Sequence, residues 1–187
     1  VEKLAALGVK EVTLLGQNVN SYKWEDGRWN FPRLLREIDG MKGLKRLRFT
    51  TSHPKNLSDE LIGCFAELDS LCPHIHLPFQ AGADPVLERM GRGYTREQYL
   101  ERVERLRNVR SDIAITSDVM VGFPGESDRD FQRTLDLVRR IRFDGLFSFK
   151  YSDRRGTRAA LMEGKVAPEE KSERLAVLQA DQKRIAL

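Results

Sequence analysis

The chain has 187 residues, 40% of them hydrophobic and 32% charged, with 14 Gly and 7 Pro, and a mean hydropathy of −0.49. This composition suits a globular fold and excludes a disordered or collagen-like chain. The 32 Lys and Arg against 28 Asp and Glu leave a net charge of +4, too small on its own to mark a nucleic-acid binder. No apolar run approaches the roughly 18 residues of a membrane span, and no signal-peptide core opens the chain, so a cytoplasmic protein without membrane association is expected. Cys64 and Cys72 are too few and wrongly spaced for a disulfide framework or a zinc knuckle.

Residues 1–7 read as the end of a helix stopped by Gly8, which predicts a piece of a longer chain lacking the strand before it. Residues 9–16 follow as a strand with a buried apolar end, then 17–30 as a polar loop carrying Trp24 and Trp29. A helix over 32–38 leads to a second strand, 44–50, whose alternation turns Lys45 and Arg48 towards solvent. Leu57, Leu61, Phe65 and Leu68 stripe the next helix, and 74–78 form a short third strand. A small helix around 85–90 precedes one opened by the capping box of Thr95 and Gln98, with Tyr99, Val103 and Leu106 on one face. Residues 113–121 are the fourth strand, Ser127 and Asp130 cap a helix through Arg140, and 145–151 are the fifth strand; the aromatic run of Phe143, Phe147, Phe149 and Tyr151 reads as core in preference to a base-stacking platform. Pro168 starts a charged helix bearing Leu175 and Leu178.

This order carries no hairpin signal between neighbouring strands and predicts a single α/β domain with a parallel sheet. Five strands cannot close an eight-stranded barrel, which leaves an open doubly wound sheet or part of a larger barrel.

Charge is unevenly spread. Residues 42–55 carry Lys42, Lys45, Arg46, Arg48 and Lys55 without an acid, and 139–158 carry seven basic residues against Asp144 and Asp153. The arginines of 89–110 alternate with glutamates, the pattern of a solvated helix face. In parallel α/β folds the functional loops follow the carboxyl ends of strands, and here those ends are polar: Gln17-Asn18, Thr50-Thr51-Ser52-His53, Gln80-Ala81-Gly82, Asp118 on to Gly122-Phe123-Pro124-Gly125-Glu126, and Lys150-Tyr151-Ser152. The 122–126 segment suits either a backbone approached by a ligand or a tight turn that needs glycine; it is neither a dinucleotide fingerprint nor a P-loop. His74 and His76 share a strand face and, with Asp118, suggest zinc ligands or hydrogen-bonded strand histidines. Gln17 and Asn18 either bond a substrate base or cap their loop. Lys150 suits a carboxylate or phosphate, and Arg154, Arg155 and Arg158 form a basic loop suited to a phosphate backbone or to solubility. Neither cysteine has the neighbours of a nucleophile.

Five segments taken together, EVTLLGQNVNSY from Glu11, RFTTSHP from Arg48, PHIHLPFQ from Pro73, DVMVGFPGE from Asp118 and FSFKYS from Phe147, resemble the radical S-adenosylmethionine methylthiotransferases. The LLGQNVNSY wording is more similar to the tRNA-modifying branch than to the one acting on a ribosomal-protein aspartate. The resemblance implies a partial (βα)6-type TIM barrel, strands two to six, as a fragment of the radical core spanning 1–187. The first strand, its CxxxCxxC cluster loop, an N-terminal methylthiotransferase domain and a C-terminal TRAM domain would lie outside it. It further implies S-adenosylmethionine and two [4Fe-4S] clusters, neither ligated by this chain, a flavodoxin or ferredoxin as reductant, and the anticodon loop of tRNA as partner. The implied reaction is reductive cleavage of S-adenosylmethionine to a 5′-deoxyadenosyl radical and methylthiolation of carbon 2 of N6-isopentenyladenosine 37.

Carried onto this chain, the resemblance assigns the cofactor to Gln17, Asn18, Gln80, Gly82, Asp118, Gly122, Pro124, Gly125, Glu126 and Lys150. It assigns tRNA and substrate to Ser52, His53, His76, Ser152, Arg154, Arg155 and Arg158. Ala81-Gly82-Ala83 departs from the family's Ser-Gly pattern, which removes a hydroxyl. Two other classes stay open: a non-catalytic α/β module binding RNA or protein, and a divalent-metal lyase barrel using His74, His76 and Asp118. The isolated chain, without the cluster cysteines, is expected to be inactive.

Overall fold

The computed structural model describes residues 1–24, 28–50 and 52–186; Thr51 of the second strand exit and residues 25–27 of the first loop lie outside the described residues. Among the described residues the expected element order is present: α1 (Glu2–Ala6), β1 (Glu11–Leu14), α2 (Phe31–Asp39), β2 (Arg46–Phe49), α3 (Asp59–Glu67), β3 (His74–His76), α4 (Asp84–Arg89), α5 (Arg96–Val109), β4 (Ala114–Val121), α6 (Asp128–Ile141), β5 (Gly145–Lys150) and α7 (Pro168–Ile185). The chain divides into two compact units, Val1–Leu77 with Glu101–Ile115, and Pro78–Leu100 with Thr116–Leu187.

In the first unit β1 and β2 run parallel, from Glu11 opposite Arg46 to Leu14 opposite Phe49. Leu47 also bridges Leu71 in parallel, which carries the sheet on past β2. Period-two alternation buries Leu47 and Phe49 on one face, where Phe49 meets Phe31 of α2 edge-on at 5.1 Å and Phe65 of α3 at 5.9 Å. Arg46 and Arg48 point to the other face, and both bond the Glu11 carboxylate of β1. Together, Arg46 first, they hold that carboxyl below its ordinary range. The helices start where the sequence places their caps: Asn30 accepts the Arg33 N–H and Ser58 the Leu61 N–H. The end of β1 departs from expectation. Leu14 is half-buried and Leu15 is 76% exposed, because β1 is paired with β2 alone among the described residues.

In the second unit β4 and β5 run parallel, from Thr116 opposite Gly145 to Val121 opposite Lys150. Gln80 adds a parallel bridge to Val119, its N–H donating to Asp118 O and its carbonyl accepting from Met120 N, both at 2.9 Å. Ser117, Val119 and Val121 are buried on the face shared with Leu146, Ser148 and Lys150. Here α7 packs, with Gln179 donating to Ser148 Oγ and Lys150 Nζ to Ser172 Oγ. The Ser127–Asp130 capping box opens α6 as expected.

The opposite face carries half-buried Asp118 and Met120 beside Phe147 and Phe149, which are 59% and 53% exposed. This corrects the reading of all four aromatics as core. Phe143 stacks on Phe79 at 5.3 Å and Tyr151 meets Phe123 at 5.2 Å, whereas strand parity turns Phe147 and Phe149 away from the helices.

Candidate functional site

The exits of β1 and β2 are tied together by Asn20, whose Nδ2 donates to His53 O (3.1 Å) and whose Oδ1 accepts the His53 N–H (3.0 Å). His53 Nδ1 in turn accepts the Lys55 N–H and caps the turn over Pro54–Asn56. Asn18 donates to Asn56 Oδ1 at 2.9 Å. Among the described residues two polar atoms here are buried without a hydrogen-bond partner: Asn18 Oδ1 and the hydroxyl of Ser52, a residue 5% exposed. A buried polar atom left unpaired costs about 1–3 kcal/mol, so both have hydrogen-bonding capacity left over. Gln17 is exposed beside them, and His76, half-buried, follows the fully buried Ile75 on β3.

In the second unit Gln80 adopts a left-handed backbone at φ 65°, a strained state for a residue with a Cβ and one that concentrates at functional sites. It lines a cleft of about 300 Å³ with Arg89, Met90, Arg92, Met120, Phe123, Arg158 and Met162. Three arginines and no acidic residue belong to this lining, so it attracts an anionic group attached to an apolar or aromatic body. Arg89 Nη1 donates to Pro124 O at 3.4 Å, across Gly125, where a Cβ would collide with the guanidinium. Gly122 and Gly125, at φ 71° and 78°, give the 122–126 turn a shape that L residues resist.

A profile of the Radical SAM superfamily matches residues 1–138. The chain belongs to that superfamily. It is 60% identical over its whole length to a tRNA-2-methylthio-N(6)-dimethylallyladenosine synthase of Syntrophus aciditrophicus, and 54% identical over 98% of its length to the protein of that name from Geobacter metallireducens. The chain spans about two fifths of the length of these relatives, 41% and 42%. Among solved structures it is similar in fold to the archaeal Methanocaldococcus infernus Elp3 (TM-score 0.62, 17% identity, 95% of this chain and 47% of that one). It is likewise similar to Escherichia coli coproporphyrinogen III oxidase, a radical SAM enzyme (TM-score 0.56, 14% identity, 82% of this chain and 44% of that one).

Radical SAM membership implies S-adenosylmethionine and a [4Fe-4S] cluster. The cleft of the second unit suits the nucleoside. Cys64 and Cys72 are both buried, burial pushes the Cys64 thiol up to about 11, and among the described residues no group of three His, Cys, Asp or Glu could hold a metal. The same observation takes the ligand set from the lyase reading of His74, His76 and Asp118.

Three expected cofactor contacts need correction. Gly82 is buried against α6, its N–H donating to Thr134 Oγ1 at 3.0 Å, and a Cβ there would strike the Thr134 backbone; the glycine serves packing. The Glu126 side chain is fully buried, bonded to Gly122 and Arg174, and faces no ligand. Burial pushes its carboxyl up, against the opposing pull of the Gly122 amide and the Arg174 guanidinium. Lys150 shares the helix face of β5 by strand parity and is engaged by Ser172.

Of the basic loop, Arg158 reaches the cleft, while Arg154, Arg155 and Ser152 are exposed beyond β5. Sequence reasoning missed Arg89 and Arg92, absorbed into a solvated helix face. The glycines flanking Arg92, Gly91 and Gly93, both at φ 68°, are the signal that takes it out of a helix. It missed Asn20 for want of any local pattern.

Proposed function

We propose that this chain forms the S-adenosylmethionine-binding core of an enzyme that methylthiolates carbon 2 of N6-isopentenyladenosine at tRNA position 37. The observation that carries the reading is 60% identity, over all of this chain, to a relative named for that modification. The acid-free, arginine-lined cleft beside the glycine turn supports it. Bound S-adenosylmethionine supplies the hydrogen-abstracting radical and the methyl group.

The chain's own residues bind and orient. In the first unit Asn18 and Ser52, with Gln17 beside them, offer hydrogen bonds to the tRNA substrate. In the second unit Gln80 and the backbone of Gly122, Pro124 and Gly125 flank the base of the nucleoside cofactor, and Arg89 and Arg92 hold its carboxylate. Phe147 and Phe149, beside Asp118, offer ring faces to a base. Arg154, Arg155 and Arg158 contact the phosphates of the anticodon loop. A flavodoxin or ferredoxin of the cytoplasm would deliver the electron. No helix among the described residues is long and apolar enough to cross a membrane.

The test is anaerobic reconstitution of the full-length protein with iron and sulfide, S-adenosylmethionine and tRNA lacking the methylthio group. Mass spectrometry of nucleosides should show the methylthiolated base together with 5′-deoxyadenosine. Formation of 5′-deoxyadenosine with an unmodified tRNA, and modification of a protein substrate instead, would overturn the tRNA reading. The 187-residue chain alone, treated identically, should release no 5′-deoxyadenosine.

A further inference from the structure

We propose that Arg174 is a positioning residue. From α7 it holds the 122–126 turn in the shape that presents its backbone to the cofactor, an inference that rests on reading this turn as part of the S-adenosylmethionine site. The Glu126 carboxylate reaches back four residues, and its Oε2 accepts the Gly122 N–H at 2.6 Å, closing the turn on itself. Arg174 Nη1 donates to that same oxygen at 2.8 Å and to the Glu126 carbonyl at 3.1 Å. Its Nη2 donates to Asp128 at 2.8 Å and also bonds Glu170. The side chains of Arg174 and Glu126 are 5% and 0% exposed, so neither meets a ligand; what they determine is the path of the turn.

Two more contacts complete the clamp. Lys171, one helical turn before Arg174, lies against Gly122, where a Cβ would collide with it, and its Nζ donates to Tyr151 O at 3.2 Å. On the other side Gly164 O accepts the Gly125 N–H at 2.7 Å. Arg174, Lys171 and Gly164 all lie beyond residue 138, where the superfamily match ends, so they add to the hold that Glu126 and Arg89 of the matched segment supply. A turn with two left-handed glycines is intrinsically soft, and ordering it on binding would subtract from affinity. The clamp orders it beforehand.

The test uses the reconstituted full-length protein and S-adenosylhomocysteine as probe, titrated by calorimetry into wild type, R174M, R174K and R139A. Arg139 bonds Asp181 farther along α7, so R139A loosens the same helix without touching the turn. R174M should weaken S-adenosylhomocysteine binding roughly ten-fold by loss of preorganisation, R174K less because it keeps the charge and one donor, and R139A not measurably, while tRNA affinity holds in all of them. R174M binding as tightly as wild type would overturn the inference, and so would R139A weakening binding as much as R174M. If R174M fails to fold, the comparison of R174K with R139A decides in the same way. Wild type that binds tRNA but no S-adenosylhomocysteine would instead remove the reading of the turn as a cofactor site, and this inference with it.

Discussion

The 122–126 turn and the exits of β1 and β2 are both loops at the carboxyl ends of parallel strands, yet they use their polar groups in opposite ways. In the turn the Gly122 and Gly125 amides are bonded within the protein, and the atoms left over, Glu126 Oε1 and Arg174 Nε, are sealed inside a charge cluster. At the exits Asn20 ties the two loops by backbone bonds, while Asn18 Oδ1 and Ser52 Oγ stay unpartnered. One loop has its backbone amides satisfied within the protein. The other keeps hydrogen-bonding groups unsatisfied. Preorganisation and unmet hydrogen-bonding capacity are separate means to affinity, and substitutions distinguish them.

The largest effect should come from breaking the satisfied side. Arg174→Met leaves Glu126 buried without its countercharge, and removing one partner of a buried pair costs about 3–5 kcal/mol; urea unfolding midpoints of the variant and wild type measure it. Next is Gly82→Ala, which forces a Cβ onto the Thr134 backbone and should cost about 1–3 kcal/mol as overpacking, read by the same unfolding curves.

A pH effect follows from Glu126. Because burial raises its carboxyl above the ordinary 4.5, its contribution to stability is full below that value and is lost as pH rises through the higher folded value. Glu126→Gln should flatten this fall in unfolding midpoints, whereas Arg174→Met, taking away a charge that opposes the shift, should carry it to higher pH. An unchanged pH profile in both variants would show that this carboxyl does not titrate in the folded state.

The smallest stability change is expected at the unsatisfied side, with the opposite sign. Ser52→Ala removes an unpaired buried hydroxyl and should leave stability unchanged or raise it by about 1 kcal/mol, while weakening tRNA binding. If stability falls and binding holds, Ser52 belongs with the structural residues and the contrast between the two loops disappears.

Much of the fold was legible in advance because its signals are local. The Thr95–Gln98 and Ser127–Asp130 capping boxes and the alternation of β2 each involve residues within a few positions of one another. The site was legible only as a set of polar strand ends. Asn18, Ser52 and Gln80 lie at such ends, and so do Lys150 and Glu126, whose side chains are committed to α7. Strand parity was available to turn Lys150 towards the helix; nothing near Glu126 indicates a partner 48 residues later.

The sequence by itself determined the elements, their order and their parallel arrangement, since periodicity, caps and turn residues act over one or two helical turns. Only the tertiary structure decided which charges are buried and which converge. It brought Arg89, Arg92 and Arg158 to one cleft, turned Phe147 and Phe149 outward, and set Arg174 against Glu126. Those outcomes depend on desolvation and on distances between elements far apart in the chain, quantities that a single strand or helix does not carry.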